Sequence, residues 1–167
     1  MHAYIGLGSN VGDRMSHLRN AVAALSRRLR LLRSSSVYET EPQEFEQQPC
    51  FLNAVLLADT DSSAQAVVGL LLATERELGR HREHVPAKGP RVIDLDLLLL
   101  GDKLEQAEDV SVPHPRMLQR LFVLTPLAEI DPDLIHPVEG RSIRGFRDEL
   151  SVREQSGAVR LFAPPLF

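Results

Sequence analysis

Asp94 and Asp96 stand two residues apart inside an apolar run, Val92-Ile93-Asp94-Leu95-Asp96-Leu97-Leu98-Leu99-Leu100, opened by Gly89-Pro90-Arg91 and closed by Gly101. Leucine-rich and β-branched residues between two chain breaks spell a strand. Side chains two apart on a strand share a face, so the carboxylates lie together with Cα atoms roughly 6.5–7 Å apart. At an effective dielectric near 20, two charges about 6 Å apart repel by roughly 3 kcal/mol. Apolar flanks add a desolvation penalty to each charge. A divalent cation that prefers hard oxygen ligands would compensate both. An Asp-x-Asp on a strand usually faces water, but the four leucines that follow do not continue a solvated face.

The residues just before this run supply the opposite charge. Arg80-His81-Arg82-Glu83-His84-Val85-Pro86-Ala87-Lys88-Gly89-Pro90-Arg91 carries four fixed positive charges against one negative, in a chain of net charge −4. Such a run is ordinarily a solvated loop. Feeding directly into the paired aspartates, it places cations where a polyphosphate would need them. Phe51 and Asn53 fall on one face of another strand, an aromatic platform beside an amide that both donates and accepts, suited to a flat heterocycle. An aromatic on a strand is more often core. His114, between Pro113 and Pro115, and Arg120, amid Met117, Leu118, Leu121 and Phe122, gain meaning only from the cluster at 80 to 96.

The elements that must position these groups are readable in outline. Ala3 to Leu7 is a short strand, turning at Gly8-Ser9-Asn10. Asp13 caps a helix whose stripe is Met15, Leu18, Val22, Leu25 and Leu29. Leu31 to Thr40 reads as one weaker strand, Pro42 to Pro49 as a polar loop, and Phe51 to Ala58 as a clear strand. Ser62-Ser63-Ala64-Gln65 resembles a capping box for a helix carrying Val67, Leu71, Glu75 and Leu78, stopped at Gly79. Pro115 opens a short helix over Arg116 to Leu121 or slightly beyond, and a last helix falls near Ile143 to Leu150. Strand, helix, strand, strand, helix, strand predicts an α+β sandwich with a mostly antiparallel sheet and helices on its faces.

Composition narrows the rest. With 167 residues, 43% hydrophobic and 25% charged, the chain fits one soluble domain, 1–167. Its acidic balance gives no reason to expect nucleic acid or an anionic membrane. A lone Cys50 excludes an internal disulfide and suits a reducing compartment. The longest nearly apolar stretch, Ala66 to Ala73, is too short to span a bilayer. No signal segment is visible, and a cytoplasmic location is expected. Gly6-Leu7-Gly8-Ser9-Asn10-Val11-Gly12 invites a dinucleotide-binding reading, but Val11 occupies the last glycine position and two strands in succession break the βαβ order.

Four segments together resemble the 6-hydroxymethyl-7,8-dihydropterin pyrophosphokinases of folate biosynthesis: Gly8-Ser9-Asn10; Tyr38-Glu39-Thr40-Glu41-Pro42 with Gln48-Pro49-Cys50-Phe51-Leu52-Asn53; Gly89-Pro90-Arg91-Val92-Ile93-Asp94-Leu95-Asp96; and Val112-Pro113-His114-Pro115-Arg116-Met117 through Arg120-Leu121-Phe122. They keep the family's order across about residues 4–138, and the tail 141–167 matches nothing. The resemblance implies a ferredoxin-like α/β sandwich that transfers pyrophosphate from ATP to the pterin hydroxymethyl group and releases AMP. It implies that Asp94 and Asp96 bind two Mg2+ ions. Arg80, Arg82 and Arg91 would join them in catalysis and touch the nucleotide. Leu97, Ser111, His114, Pro115 and Arg120 would line the nucleotide side. Thr40, Pro42, Gln43, Phe51, Asn53 and Phe122 would bind the pterin, between the two aromatic rings. The implied partners are these small molecules alone, bound by a monomer. A non-catalytic ATP- and pterin-binding module is the alternative, prompted by Glu44 where the family usually has Gly and Lys88 where it commonly has Trp.

Overall fold

The computed structural model describes residues 1–41, 49–79, 90–153 and 159–167. Its chain order is β1 (His2–Ser9), α1 (Arg14–Leu25), β2 (Arg30–Ser34), β3 (Val37–Thr40), β4 (Phe51–Asp59), α2 (Ala64–Glu77), β5 (Asp94–Leu100), β6 (Glu105–Gln106), β7 (Ser111–Val112), a 3₁₀ turn (Met117–Gln119), α3 (Leu121–Ile130), α4 (Ile143–Arg153) and β8 (Val159–Ala163). The main sheet runs β5-β1-β4-β3-β8, with β2 also on β4 beside β3. Every pairing in it is antiparallel. The α+β expectation therefore holds. The dinucleotide reading does not, because β1 lies antiparallel between β4 and β5 and leaves no parallel βαβ crossover at its glycine turn.

β4 sits centrally and is buried on both faces, which explains its near-continuous apolar sequence. Leu52, Ala54, Leu56 and Ala58 pack with Leu18 and Leu25 of α1 and Val67 and Leu71 of α2. Val55 and Leu57 face the other way, onto Leu124, Leu127 and Ala128 of α3. Two helical layers thus sandwich the sheet.

Local chemistry moves several expected boundaries. Asp13 caps α1 as expected, accepting from Ser16 N at 3.0 Å. The cap of α2 is Ser63, accepting from Ala66 N at 3.2 Å, one residue later than the predicted box. Thr60 Oγ1 takes the Ser62 N–H at 3.1 Å and holds that residue in the preceding turn. The single strand expected over Leu31 to Thr40 splits at Ser35, whose buried hydroxyl accepts the Val55 N–H at 2.9 Å in place of a ladder carbonyl. The helix expected over Arg116 to Leu121 or slightly beyond opens as a 3₁₀ turn, and α3 follows it from Leu121. The tail, to which the sequence assigned only one short helix, supplies α4 and the edge strand β8. Among the described residues no helix is long and apolar enough to cross a membrane.

β5 carries a bulge: Tyr4 pairs with Leu99 but Ile5 with Leu97, so Leu98 is the extra residue. Leu98 and Leu99 consequently both enter the α3-side core, while Leu97 and Leu100 enter the other. The Leu98 carbonyl accepts His114 N at 2.9 Å, which fixes the Pro113–Pro115 segment against β5.

Candidate active site

Three adjacent strands form the floor of the site. Register sets Asn53 of β4 opposite Gly8 of β1, and Gly8 opposite Asp94 of β5; Gly6 faces Asp96. Cross-strand partners share a face, so Phe51, Asn53, Gly8, Asp94 and Asp96 all look toward the α3 side. A methyl added at Gly8 would stand 3.3 Å from Asn53 Oδ1 and 3.9 Å from both Asp94 Cβ and Phe51 Cδ1. Glycine there leaves an open channel from amide to carboxylates. Asn53 donates Nδ2–H to Thr40 Oγ1 at 2.8 Å, which turns its Oδ1 over Gly8. Phe122 lies in the first turn of α3, and Arg120 lies over its ring at 5.5 Å. Among the described residues no ring contact joins Phe51 to Phe122.

The two aspartates do not have the same environment. Asp94 is ion-paired with Arg91 three residues before it. The Asp96 carboxyl is pushed up to about 6, first by burial and then by the Asp94 charge, against the pull of Arg120. Burial and then Arg116 push the Arg120 pKa down, opposed by Asp96 and Asp94. His114 is pushed down to about 4 by burial, with Arg120 and Arg116 adding to it. It is neutral at pH 7, and its Nδ1 accepts Arg116 N–H at 3.2 Å, so the ring proton sits on Nε2. That nitrogen is free to donate to an anion.

A cavity of about 670 Å³ opens at the free edge of β5, between α2 and the β6–β7 hairpin. Val68, Leu71, Leu72 and Val110 make its apolar wall; Leu97, Ser111, His114 and Pro115 also line it, and Asp96 stands where it meets the floor. Its apolar character and size suit a heterocyclic base.

Several groups escaped the sequence reading. Asn10, 1% exposed, receives the Arg91 N–H on Oδ1 at 2.7 Å, donates its own N–H to Arg91 O at 3.1 Å, and donates Nδ2–H to Pro49 O at 3.4 Å. It staples the chain before Phe51 to the chain before Asp94. Glu75, also 1% exposed, accepts Leu95 N–H at 2.8 Å, the amide between the two aspartates. An acid in the stripe Val67, Leu71, Glu75, Leu78 was the signal that could have found it. Gly8 and the apolar wall on α2 left no such mark. Arg80, Arg82, Pro42 and Gln43, with the departures Glu44 and Lys88, lie outside the described residues.

Two carboxylates on one strand face beside a base-sized cavity and half-buried arginines define a nucleotide-using phosphoryl-type transferase. Among the described residues no group of three or more His, Cys, Asp or Glu forms a closed metal cage. Two acidic oxygen donors do fit Mg2+, which characteristically completes its shell with substrate phosphates and water. The profile of the family described as 7,8-dihydro-6-hydroxymethylpterin-pyrophosphokinase matches residues 4–132. The chain is 47% identical over 130 residues to the 2-amino-4-hydroxy-6-hydroxymethyldihydropteridine pyrophosphokinase of Bacillus subtilis, covering 77% of each chain. It is 39% identical over 150 residues to that of Aquifex aeolicus, covering 90% of this chain and 92% of the relative. The folic acid synthesis protein fol1 of Pneumocystis carinii is 41% identical over 148 residues, 88% of this chain but only 20% of that much longer protein. A crystal structure of Plasmodium falciparum HPPK-DHPS superposes with a TM-score of 0.73 at 16% identity, over 93% of this chain and 46% of the other. The chain belongs to the hydroxymethyl-dihydropterin pyrophosphokinase family, ATP-dependent pyrophosphoryl transferases of folate biosynthesis that use magnesium.

Proposed function

We propose that the dihydropterin lies over Gly8 between the rings of Phe51 and Phe122, with Asn53 and the Thr40 segment reading its polar edge. ATP places its base in the cavity at the β5 edge and its phosphates across Asp96 and Asp94. The register row Asn53–Gly8–Asp94 carries this reading, because neighbouring strands are about 4.8 Å apart. A pterin held by Asn53 therefore brings its hydroxymethyl arm alongside the carboxylates across a single glycine. Arg91, Arg120 and the Nε2–H of His114 bind phosphate oxygens, and Arg80 and Arg82 join them from the neighbouring loop.

The hydroxymethyl oxygen attacks the β-phosphorus of ATP, the bond from that phosphorus to the α–β bridging oxygen breaks, and AMP departs. Asp94 and Asp96 would hold two Mg2+ ions, which would supply neutralising positive charge to the phosphates. The protein's own part is to align the acceptor, exclude water and present the cations. The unit acting is one domain, 1–167, working as a monomer. The lone thiol Cys50 suits a reducing cytoplasm.

Purified protein given ATP, magnesium and 6-hydroxymethyl-7,8-dihydropterin should release AMP in step with pterin diphosphate. ADP as the nucleotide product, or tight binding of both substrates without turnover, would overturn this reading.

A further inference from the structure

Behind the pterin half of the floor lies a set of contacts that the reaction's own residues do not include. Arg14, at the start of α1, donates Nη1–H to Glu39 Oε2 at 2.9 Å and to the Cys50 carbonyl at 2.7 Å. Each acceptor adjoins a residue assigned to the pterin: Glu39 precedes Thr40, and Cys50 precedes Phe51. Thr40 and Phe51 are register partners, as are Glu39 and Leu52. Arg14 therefore grips β3 and the start of β4 from the opposite side of the sheet, directly behind the pair.

The strand β8 closes this arrangement from its far side. It pairs with β3 along Val37 to Thr40. Arg160 Nη2 reaches Glu39 Oε1 at 3.6 Å, and the Arg14 guanidinium lies 5.7 Å from the centre of the Phe162 ring. Glu39 thus holds two arginines, and Arg14 has an acid, a carbonyl and a ring. β8 lies beyond residue 132, where the family match ends, so the reaction's residues do not account for it. Arg14 and Glu39 are each 23% exposed, little enough for a charge-assisted fork to hold its geometry.

We propose that Arg14 is a positioning residue for the pterin half of the site, setting through Glu39 and the Cys50 carbonyl the spacing at which Thr40 and Phe51 meet the ring, with β8 as its clamp. The inference rests on the pterin placement argued above. The nucleotide cavity lies at the opposite edge of the sheet, with β1 and β4 between β5 and β3, so the two substrates should feel Arg14 unequally.

Steady-state kinetics on Arg14→Ala and Arg14→Lys, with Phe51→Ala as reference, separates the possibilities. Arg14→Ala should raise KM for the pterin by about ten- to a hundredfold, as misplacement of a site by a distant change can. KM for ATP should stay within about twofold. Arg14→Lys should fall between, because an ammonium lacks the planar fork that serves both acceptors. Equal changes in both KM values, or no change in either while Phe51→Ala raises the pterin KM, would overturn the inference and leave the pterin placement standing. An unchanged pterin KM in Phe51→Ala would remove the placement itself and the inference with it. If Arg14→Ala fails to fold, the same split measured on Arg14→Lys decides.

Discussion

Asp94 and Asp96 look equivalent in the sequence, where a divalent cation was expected to compensate both. The structure divides that task. Arg91 pairs directly with Asp94, whereas Asp96, deeper and next to the Glu75 charge, is left with its carboxyl raised to about 6. Between these acids and Asn53 the decisive residue is one without a side chain. No positive φ requires glycine at position 8, so Gly8→Ala tests space alone. Its methyl would press on Asn53 Oδ1 at 3.3 Å, and the turn of that amide would suffer. Gly8→Ala should lower kcat/KM for the pterin by about ten- to a hundredfold while isothermal titration finds binding of a magnesium–ATP analogue unaltered. Unchanged pterin kinetics would mean the acceptor arm does not cross this residue.

At the scale of elements, β1, α1, α2 and β5 were legible because each couples a clean pattern to a capping residue or a glycine turn, and β4 because its apolar run is bounded by polar loops. Strand alternation alone put Asp94 with Asp96, and Phe51 with Asn53, on shared faces, whereas Phe122, on α3, was named only through the resemblance. What was missed depends on contacts remote in sequence. The tail strand Val159–Ala163 carries Arg160, Leu161 and Phe162 and has little core to bury, so its pattern is ambiguous until β3 offers it an edge. The split at Ser35 requires knowing that a hydroxyl will meet Val55 N–H. The role of Asn10 requires knowing that Pro49 and Arg91 converge on it. Asn10 and Arg14 act on different pairs of elements, and that difference is measurable. Asn10 joins Pro49, just before β4, to Arg91, three residues before β5, so Asn10→Ala should raise the KM of pterin and of ATP together. The Arg91 N–H and the Pro49 carbonyl lose their side-chain partner there, and about 1–3 kcal/mol of stability should go with them. A selective effect on one substrate, seen in the same two kinetic titrations, would contradict its role as a staple.

Over the whole molecule the acid and the imidazole of the site act on stability with opposite sign. Asp96 ordinarily titrates at 3.8 and here at about 6, so in metal-free protein the folded state binds its proton more tightly than the unfolded chain does. Its contribution is present below pH 3.8 and is lost as the pH rises through about 6. His114 moves the other way, from 6.5 to about 4. Its contribution is present above pH 6.5 and is lost as the pH falls through about 4. Across that window the two slopes offset each other, and the metal-free chain should show a nearly level melting temperature. Asp13, Asp59 and Glu149, all held below the usual carboxylate range by their hydrogen bonds, add a rise at lower pH common to every variant. Asp96→Asn should therefore melt higher as the pH is raised from about 4 to about 6.5, and His114→Gln should melt lower, the wild type lying between. Saturating magnesium and nucleotide should reverse the Asp96 slope, since binding requires the ionised carboxylate and stabilises only the folded chain, by about 2.7 kcal/mol at a hundred times Kd. Differential scanning calorimetry in chelator at four or five pH values reads all three profiles. Parallel profiles for the wild type and both variants would show that neither group couples its proton to the fold, and that the buried acid is not the one that magnesium must displace a proton from.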